Sequence, residues 1–239
     1  MHSGFALRRP PRTVTIVMVS LLALWILSTL MVRFAASGPE LYQSLALDPA
    51  AVLSEGKIWQ LLTYAALHDL MSPSHVLFNM LGLYFFGSDL VVRWGNRRFL
   101  LFLTLAALGG ASFVLVAWLL GLSAGPVVGA SAVVLGLVVA WGLLYKDRTV
   151  LLFFVLPVRG IHMVWMALAF EVLSALSLGP VSAAAHFGGM ATGAILVQGI
   201  WRPNRMRLFW DELLVKLRVR KKAKLYVVPK PGDDRFNIQ

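Results

Sequence analysis

The 239-residue sequence contains no cysteine and has few charged residues. The absence of cysteine excludes disulfides, thiolate metal sites and a cysteine nucleophile. Charged residues make up only 14% of the chain and hydrophobic residues 59%, whereas soluble domains have about 25% charged and about 45 to 50% apolar residues. This composition excludes an ordinary soluble domain and predicts a membrane protein that crosses the bilayer several times.

Six apolar segments are each about long enough to cross a bilayer, which takes a helix of about 20 mostly apolar residues. They predict an all-α membrane fold, a bundle of six transmembrane helices within residues 13–201. The apolar run of the first segment exceeds the 7 to 15 residues of a typical signal peptide, which favours an uncleaved anchor. The six segments are Thr13–Val32, His75–Val92, Phe99–Gly121, Val127–Tyr145, Gly160–Leu178 and Ala183–Trp201.

The positions of the basic residues predict the orientation, because short cytoplasmic loops retain Lys and Arg. Basic residues concentrate before the first segment, after the second, after the fourth and after the sixth, so both termini are expected in the cytoplasm. Residues 1–12 are predicted to be a short basic N-terminus, and residues 202–239 a basic amphipathic segment that binds anionic lipid, with a tail. This distribution accounts for the net charge of +11 without nucleic-acid binding. A bacterial plasma membrane is the expected location, because so short an N-terminus leaves little room for an organelle transit peptide.

Polar residues occur near the outer ends of the second, fourth and sixth segments, which all run inward from the outer face. His75 and Asn79 are four residues apart and share one helix face. Ser131 lies near the outer end of the fourth segment, and His186 lies near the outer end of the sixth. All four are expected at a similar shallow depth. Ser131 and His186 are expected about 5 to 10 Å below the outer ends of their helices, given the rise of about 1.5 Å per residue.

Small residues recur every four positions on two of these segments. They are Ala132, Gly136 and Ala140 on the fourth and Ala185, Gly189 and Gly193 on the sixth. Such ladders let two helix backbones approach closely. Close packing of the fourth and sixth segments would bring Ser131 towards His186.

A serine beside a histidine has a definite chemical meaning. A serine hydroxyl is a weak nucleophile until an imidazole removes its proton, and the same imidazole can then protonate a leaving amine. The oxyanion formed in such a reaction needs fixed hydrogen-bond donors. His75 and Asn79 carry donors of the right kind.

The motifs His75-x-x-x-Asn79, Gly129-x-Ser131 and Ala185-His186-x-x-Gly189 occur in this order along the six segments. They resemble the motifs of the rhomboid intramembrane serine proteases. The resemblance covers roughly residues 13 to 201. It implies a catalytic dyad without a carboxylate, with Ser131 as nucleophile and His186 as general base. It also implies that His75, Asn79 and the Ser131 amide bind the oxyanion, that the substrates are transmembrane proteins, and that no metal or cofactor takes part.

Three positions depart from the commonest pattern of that family. Ala132 replaces a glycine after the serine, Leu135 stands where a tyrosine often stacks on the histidine, and Gln60 replaces an arginine after Trp59. His68 matches a family histidine of mainly structural use. Glu171 lies in the middle of the fifth segment and has no assigned role. We expect it to make a buried hydrogen bond or to face water, because a carboxylate facing lipid is costly.

Three other classes of protein have to be weighed against a protease. A catalytically silent relative that binds transmembrane helices, as a chaperone or quality-control adaptor, would typically lack the serine or the histidine. A transporter would be expected to show an inverted repeat or paired broken helices, and the sequence shows neither. A zinc protease would be expected to contain His-Glu-x-x-His, which is also absent.

Overall fold

The computed structural model describes residues 9–122, 125–152, 155–178 and 180–199. The basic N-terminal residues 1–8 and the predicted amphipathic segment at 202–239 lie outside the described residues. Apart from one short β-hairpin, the regular structure in the described part is helical. The helices, in chain order, are α1 (Arg12–Phe34), α2 (Gly38–Leu45), α3 (Pro49–Glu55), α4 (Gln60–Thr63), α5 (Pro73–Gly82), α6 (Ser88–Trp94), α7 (Asn96–Leu119), α8 (Ser131–Leu144), α9 (Gly160–Leu178) and α10 (Pro180–Gln198).

Three stretches of helix in the described residues are long and apolar enough to cross a membrane. They are α1, the run Pro73–Trp94 and α7. The run Pro73–Trp94 joins α5 to α6 through a π-helical turn at Leu83–Gly87. The helices α8 and α9 are apolar but shorter in their spanning part, so six crossings and the position of the termini stay predictions.

Three predicted segments begin three or four residues from the start of the observed helix. The third was predicted from Phe99, but α7 begins at Asn96. The fourth was predicted from Val127, but α8 begins only at Ser131, because Val127 is extended and pairs with Leu47 in an isolated β-bridge. Gly129 then adopts a φ of 125°, which a helix does not allow. The sixth was predicted from Ala183, but α10 begins at Pro180, since proline favours the first turn of a helix.

The first connection, residues 35–72, is a folded unit rather than an open loop. Gln60 is only 1% exposed, and its side chain accepts a hydrogen bond from the Asp48 amide and donates one to the Ser44 carbonyl. The buried hydroxyl of Tyr64 donates to the carbonyl of Ala107 in α7. Gln60 stands where the family usually has arginine, and it makes two hydrogen bonds with the backbone of this connection.

The centre of the molecule is the contact of α10 with α7 and α8. Gly189 of α10 lies directly against the backbone of Ala132, and Gly193 lies against the backbone of Gly136. On the other side, Gly188 lies against the backbone of Gly109 in α7. The structure therefore shows the close packing of the fourth and sixth segments that their small-residue ladders permit.

The opposite end of α8 is held by a polar cluster. The carboxylate of Asp89 in α6 accepts hydrogen bonds from Trp141 Nε1 at 2.8 Å and from Arg148 at 2.7 Å. Beyond Arg148, the strands β1 (Thr149–Leu152) and β2 (Leu156–Arg159) form an antiparallel hairpin in which Thr149 pairs with Arg159. This hairpin leads into α9.

The substitution Gly189→Ala tests the tight contact of α10 with α8. In an exposed helix this change stabilises by up to about 1 kcal/mol. Here the added methyl group would run into the backbone of Ala132, so we expect a loss of about 1 to 3 kcal/mol. Thermal unfolding in detergent micelles measures it. Ile195→Ala, at an exposed position of the same helix, is the control, and a stabilising Gly189→Ala would contradict this account of the packing.

Candidate active site

Ser131 is the first residue of α8. The turn before it depends on Gly129, whose φ of 125° is strained for any residue with a Cβ. The Gly129 amide donates to the carbonyl of Tyr64 at 2.9 Å, which ties this turn to the first connection. The Ser131 side chain is thus presented at a helix N-terminus, where backbone amides have no acceptor within the helix and the helix dipole favours negative charge.

His186 lies in the second turn of α10 and faces α8. Its Nε2 atom lies 2.7 Å from Ser131 Oγ, which is the length of a strong hydrogen bond. The two residues are 55 positions apart in the sequence. The packing of Gly189 against Ala132, one turn further along, brings their helices close enough for this contact.

The other nitrogen of His186 contacts a carboxylate. Nδ1 lies 2.7 Å from Glu171 Oε2, and Glu171 is only 4% exposed. Of the two expectations for Glu171, the buried hydrogen bond is confirmed. The implied dyad without a carboxylate does not describe this geometry, which brings together a serine, a histidine and a glutamate.

One sequence signal could have placed Glu171 near His186. Glu171 lies seven residues before the end of α9 at Leu178, and His186 lies six residues after the start of α10 at Pro180. Two antiparallel helices with so short a connection bring such residues to the same depth, about 10 Å from the turn. The similar distances of Glu171 and His186 from Gly179-Pro180 could therefore have predicted that they lie at the same depth.

His75 and Asn79 both lie on α5. A methyl group built on Gly129 would lie 2.7 Å from His75 Nε2 and 3.6 Å from Ser131 Oγ. The imidazole and the hydroxyl therefore border the same small space. Asn79 is 4% exposed, and its Nδ2 has no hydrogen-bond partner among the described residues, so the amide is a buried donor free to bind an acceptor.

His68 supports His75 from the first connection. Its side chain is fully buried, and its ring packs edge-on against that of His75, with the ring centres 5.3 Å apart. The Tyr42 hydroxyl donates to the His68 carbonyl. Burial and the neighbouring His75 lower the pKa of His68 to about 4, so this ring is neutral at pH 7.

The arrangement fits acid–base and nucleophilic chemistry. It contains a hydroxyl, an imidazole in contact with it, a carboxylate behind the imidazole and nearby donors. Within the ranges that the structure describes, no group of three or more His, Asp or Glu side chains is placed to hold a metal ion.

A scan against protein-family models matches the Rhomboid domain over residues 55–203. The chain belongs to the rhomboid family. This family is a helical membrane fold, usually of intramembrane proteases, and it also has inactive members. The rhomboid match and the apolar helices make this chain an integral membrane protein. Comparison with curated proteins found no significant match.

All five side chains of the site lie inside the rhomboid match. Of the four residues singled out from the sequence, Ser131, His186 and His75 lie together near the start of α8 in this rhomboid. Asn79 lies one turn beyond His75 on α5. The catalytic and oxyanion roles of all four stay predictions. Glu171, whose role the sequence left open, joins them through His186.

The buried His68 predicts that acid destabilises this rhomboid. The unfolded chain takes up a proton on His68 near its ordinary pKa of about 6.5, whereas the folded chain resists protonation until about pH 4. The contribution of the neutral ring to the free energy of unfolding is therefore fully present above pH 6.5 and is lost as the pH falls from 6.5 to 4. At pH 5 the free energy of unfolding is lower by roughly 2 kcal/mol.

Thermal unfolding of wild type and His68→Phe between pH 7 and pH 5 measures this effect. The phenylalanine keeps a ring against His75 but does not titrate. We expect a smaller acid-induced fall in Tm for the variant. Parallel pH dependence in the two proteins would exclude His68 as the source.

Proposed function

We propose that this rhomboid is an intramembrane serine endopeptidase that cleaves peptide bonds in or near the transmembrane helices of membrane proteins. The observation that carries the proposal is the 2.7 Å contact between His186 Nε2 and Ser131 Oγ. A hydroxyl bonded to an unprotonated imidazole nitrogen is the arrangement that activates serine as a nucleophile.

The reaction proceeds in two halves. Ser131 Oγ attacks the scissile carbonyl carbon while His186 Nε2 takes the hydroxyl proton. The tetrahedral intermediate then collapses, the C–N bond breaks, and His186 returns the proton to the leaving amine. Water, activated by the same imidazole, hydrolyses the acyl-enzyme on Ser131.

Three donors would stabilise the oxyanion of each tetrahedral intermediate. Asn79 Nδ2 is buried and has no other partner among the described residues. The Ser131 amide belongs to the first turn of α8 and lacks an intrahelical acceptor. The ring of His75 borders the space next to Ser131 Oγ. Donors fixed in a buried site act without the reorganisation that water would need.

The substrate has to expose its backbone at the site. A peptide bond inside a helix is shielded by its own hydrogen bonds, so the substrate helix unwinds locally before cleavage. By the distribution of basic residues, the Ser131 end opens to the outer side of the membrane. In a bacterial plasma membrane this is the periplasmic or extracellular side, from which the hydrolytic water enters.

Replacement of either dyad residue is expected to abolish cleavage. We predict that wild type cleaves a single-span model substrate in liposomes and that Ser131→Ala and His186→Ala lower the rate by about 10⁴-fold or more, since removal of the nucleophile or base eliminates the covalent route. Gel analysis of the products, with circular dichroism to check folding, measures this.

Ser112→Ala is the matched control, because Ser112 is exposed and its hydroxyl donates to the carbonyl of Leu108 in its own helix. If folded wild type cuts no better than the variants, and Ser131 resists fluorophosphonate labelling, the silent helix-binding function replaces the protease.

Asn79→Ala tests the oxyanion site separately. We expect kcat to fall by about 10²- to 10³-fold, as for loss of one oxyanion donor, with a nearly unchanged KM. Steady-state cleavage kinetics in liposomes measure it. Asn96→Ala, at the exposed start of α7, is the control. An equal loss in both variants would argue against a specific role for Asn79.

A further inference from the structure

We propose that Glu171 is a positioning residue that completes a Ser131–His186–Glu171 triad. This inference rests on the proposed protease function and deepens it. It concerns a residue to which neither the sequence motifs nor the family match assigns a role.

The geometry is that of a continuous hydrogen-bonded chain. Glu171 Oε2 lies 2.7 Å from His186 Nδ1, and His186 Nε2 lies 2.7 Å from Ser131 Oγ. In the proposed triad the Glu171 carboxylate accepts this hydrogen bond and Nδ1–H donates it. Nε2 then has its lone pair directed at the Ser131 hydroxyl, which is the tautomer that a general base needs.

The burial of Glu171 gives the contact a second significance. The side chain is 4% exposed, and His186 is the hydrogen-bonding partner found for its carboxylate within the described part of the chain. Ionisable residues inside membrane helices are costly, and those found there usually serve a function. A carboxylate whose polar contact is a single imidazole acts through that imidazole.

The helix pair fixes the contact from both sides. Glu171 and His186 lie at the same depth on antiparallel neighbours, because α9 ends at Leu178 and α10 begins at Pro180. His186 is also held on the other side by the tight packing of α10 against α8. The imidazole therefore has little freedom to rotate away from either partner.

The carboxylate acts by charge during the reaction. When Ser131 Oγ bonds to the substrate carbonyl, its proton moves to His186 Nε2 and the ring becomes an imidazolium. The Glu171 carboxylate stabilises this cation by accepting the Nδ1–H hydrogen bond. The proton then leaves from Nε2 to the amine, and the ring returns to its starting tautomer. Glu171 neither gains nor loses a proton.

The test compares Glu171→Gln and Glu171→Asp with wild type in liposomes, by steady-state cleavage of a single-span substrate. We expect Glu171→Gln to lower kcat by about 10⁴-fold, as when the acid of a triad loses its charge, with KM changed less than about threefold. Glu171→Asp is expected to recover at least a tenth of wild-type kcat, because it keeps the carboxylate. Glu55→Gln, at an exposed site, is the matched control and should leave kcat unchanged.

Two further measurements separate positioning from mere structural support. In wild type, proton NMR in micelles should show a strongly deshielded His186 Nδ1–H signal that Glu171→Gln removes. In a His186→Ala background, Glu171→Gln should slow the residual fluorophosphonate labelling of Ser131 no further, since residues that act as a unit are not additive. If Glu171→Gln instead lowers Tm and kcat together, and Glu171→Asp restores neither, the residue is structural.

The failure of this inference is distinct from the failure of the proposed function. Active wild type with an equally active Glu171→Gln variant overturns the triad and leaves the dyad protease intact. Folded wild type that neither cleaves substrates nor reacts with fluorophosphonate overturns the protease, and the triad with it.

Discussion

The close approach of α10 to α8 is the constraint on which the rest of the site depends. Gly189 and Gly193 lie against the backbones of Ala132 and Gly136, which leaves no room for a side chain between the helices. Only at this separation does the imidazole of His186 reach Ser131 at 2.7 Å. Dispersion forces and close packing hold membrane helices together where the hydrophobic effect gives no preference between lipid and protein, so the same glycines serve both folding and site geometry.

The second half of the site is held by the first connection rather than by the helix core. The Tyr64 hydroxyl donates a hydrogen bond to the Ala107 carbonyl in α7, and the Tyr64 carbonyl accepts one from the Gly129 amide. Tyr64 therefore links this connection to the turn before Ser131. His68 packs against His75 from the same connection. The Gln60 side chain in turn makes hydrogen bonds with the backbone of this connection at Asp48 and Ser44. His75 and the turn before Ser131 are therefore both held by this folded connection.

The site contains buried polar groups, which lower the free energy of unfolding when they lack hydrogen-bond partners. Glu171, Asn79 and His68 are all buried, and a buried polar group without a partner costs about 1 to 3 kcal/mol. Glu171 offsets this cost by bonding to His186, whereas the Asn79 amide lacks such a partner among the described residues. An apolar core would be more stable, but it could neither orient an imidazole nor bind an oxyanion.

The sequence by itself determined the membrane class and most of the helices, because hydrophobic length is a local pattern. Its motifs also singled out Ser131, His186, His75 and Asn79, whose roles stay predictions. Its small-residue ladders made close packing of the fourth and sixth segments plausible, but only the structure paired them. The sequence did not determine where α8 begins, since the bridge between Leu47 and Val127 joins residues far apart in the chain. Nor did it assign a partner to Glu171, because that contact depends on the rotation of α9 about its own axis as well as on depth. Depth follows from counting residues, whereas rotation is decided only when α8, α9 and α10 pack together.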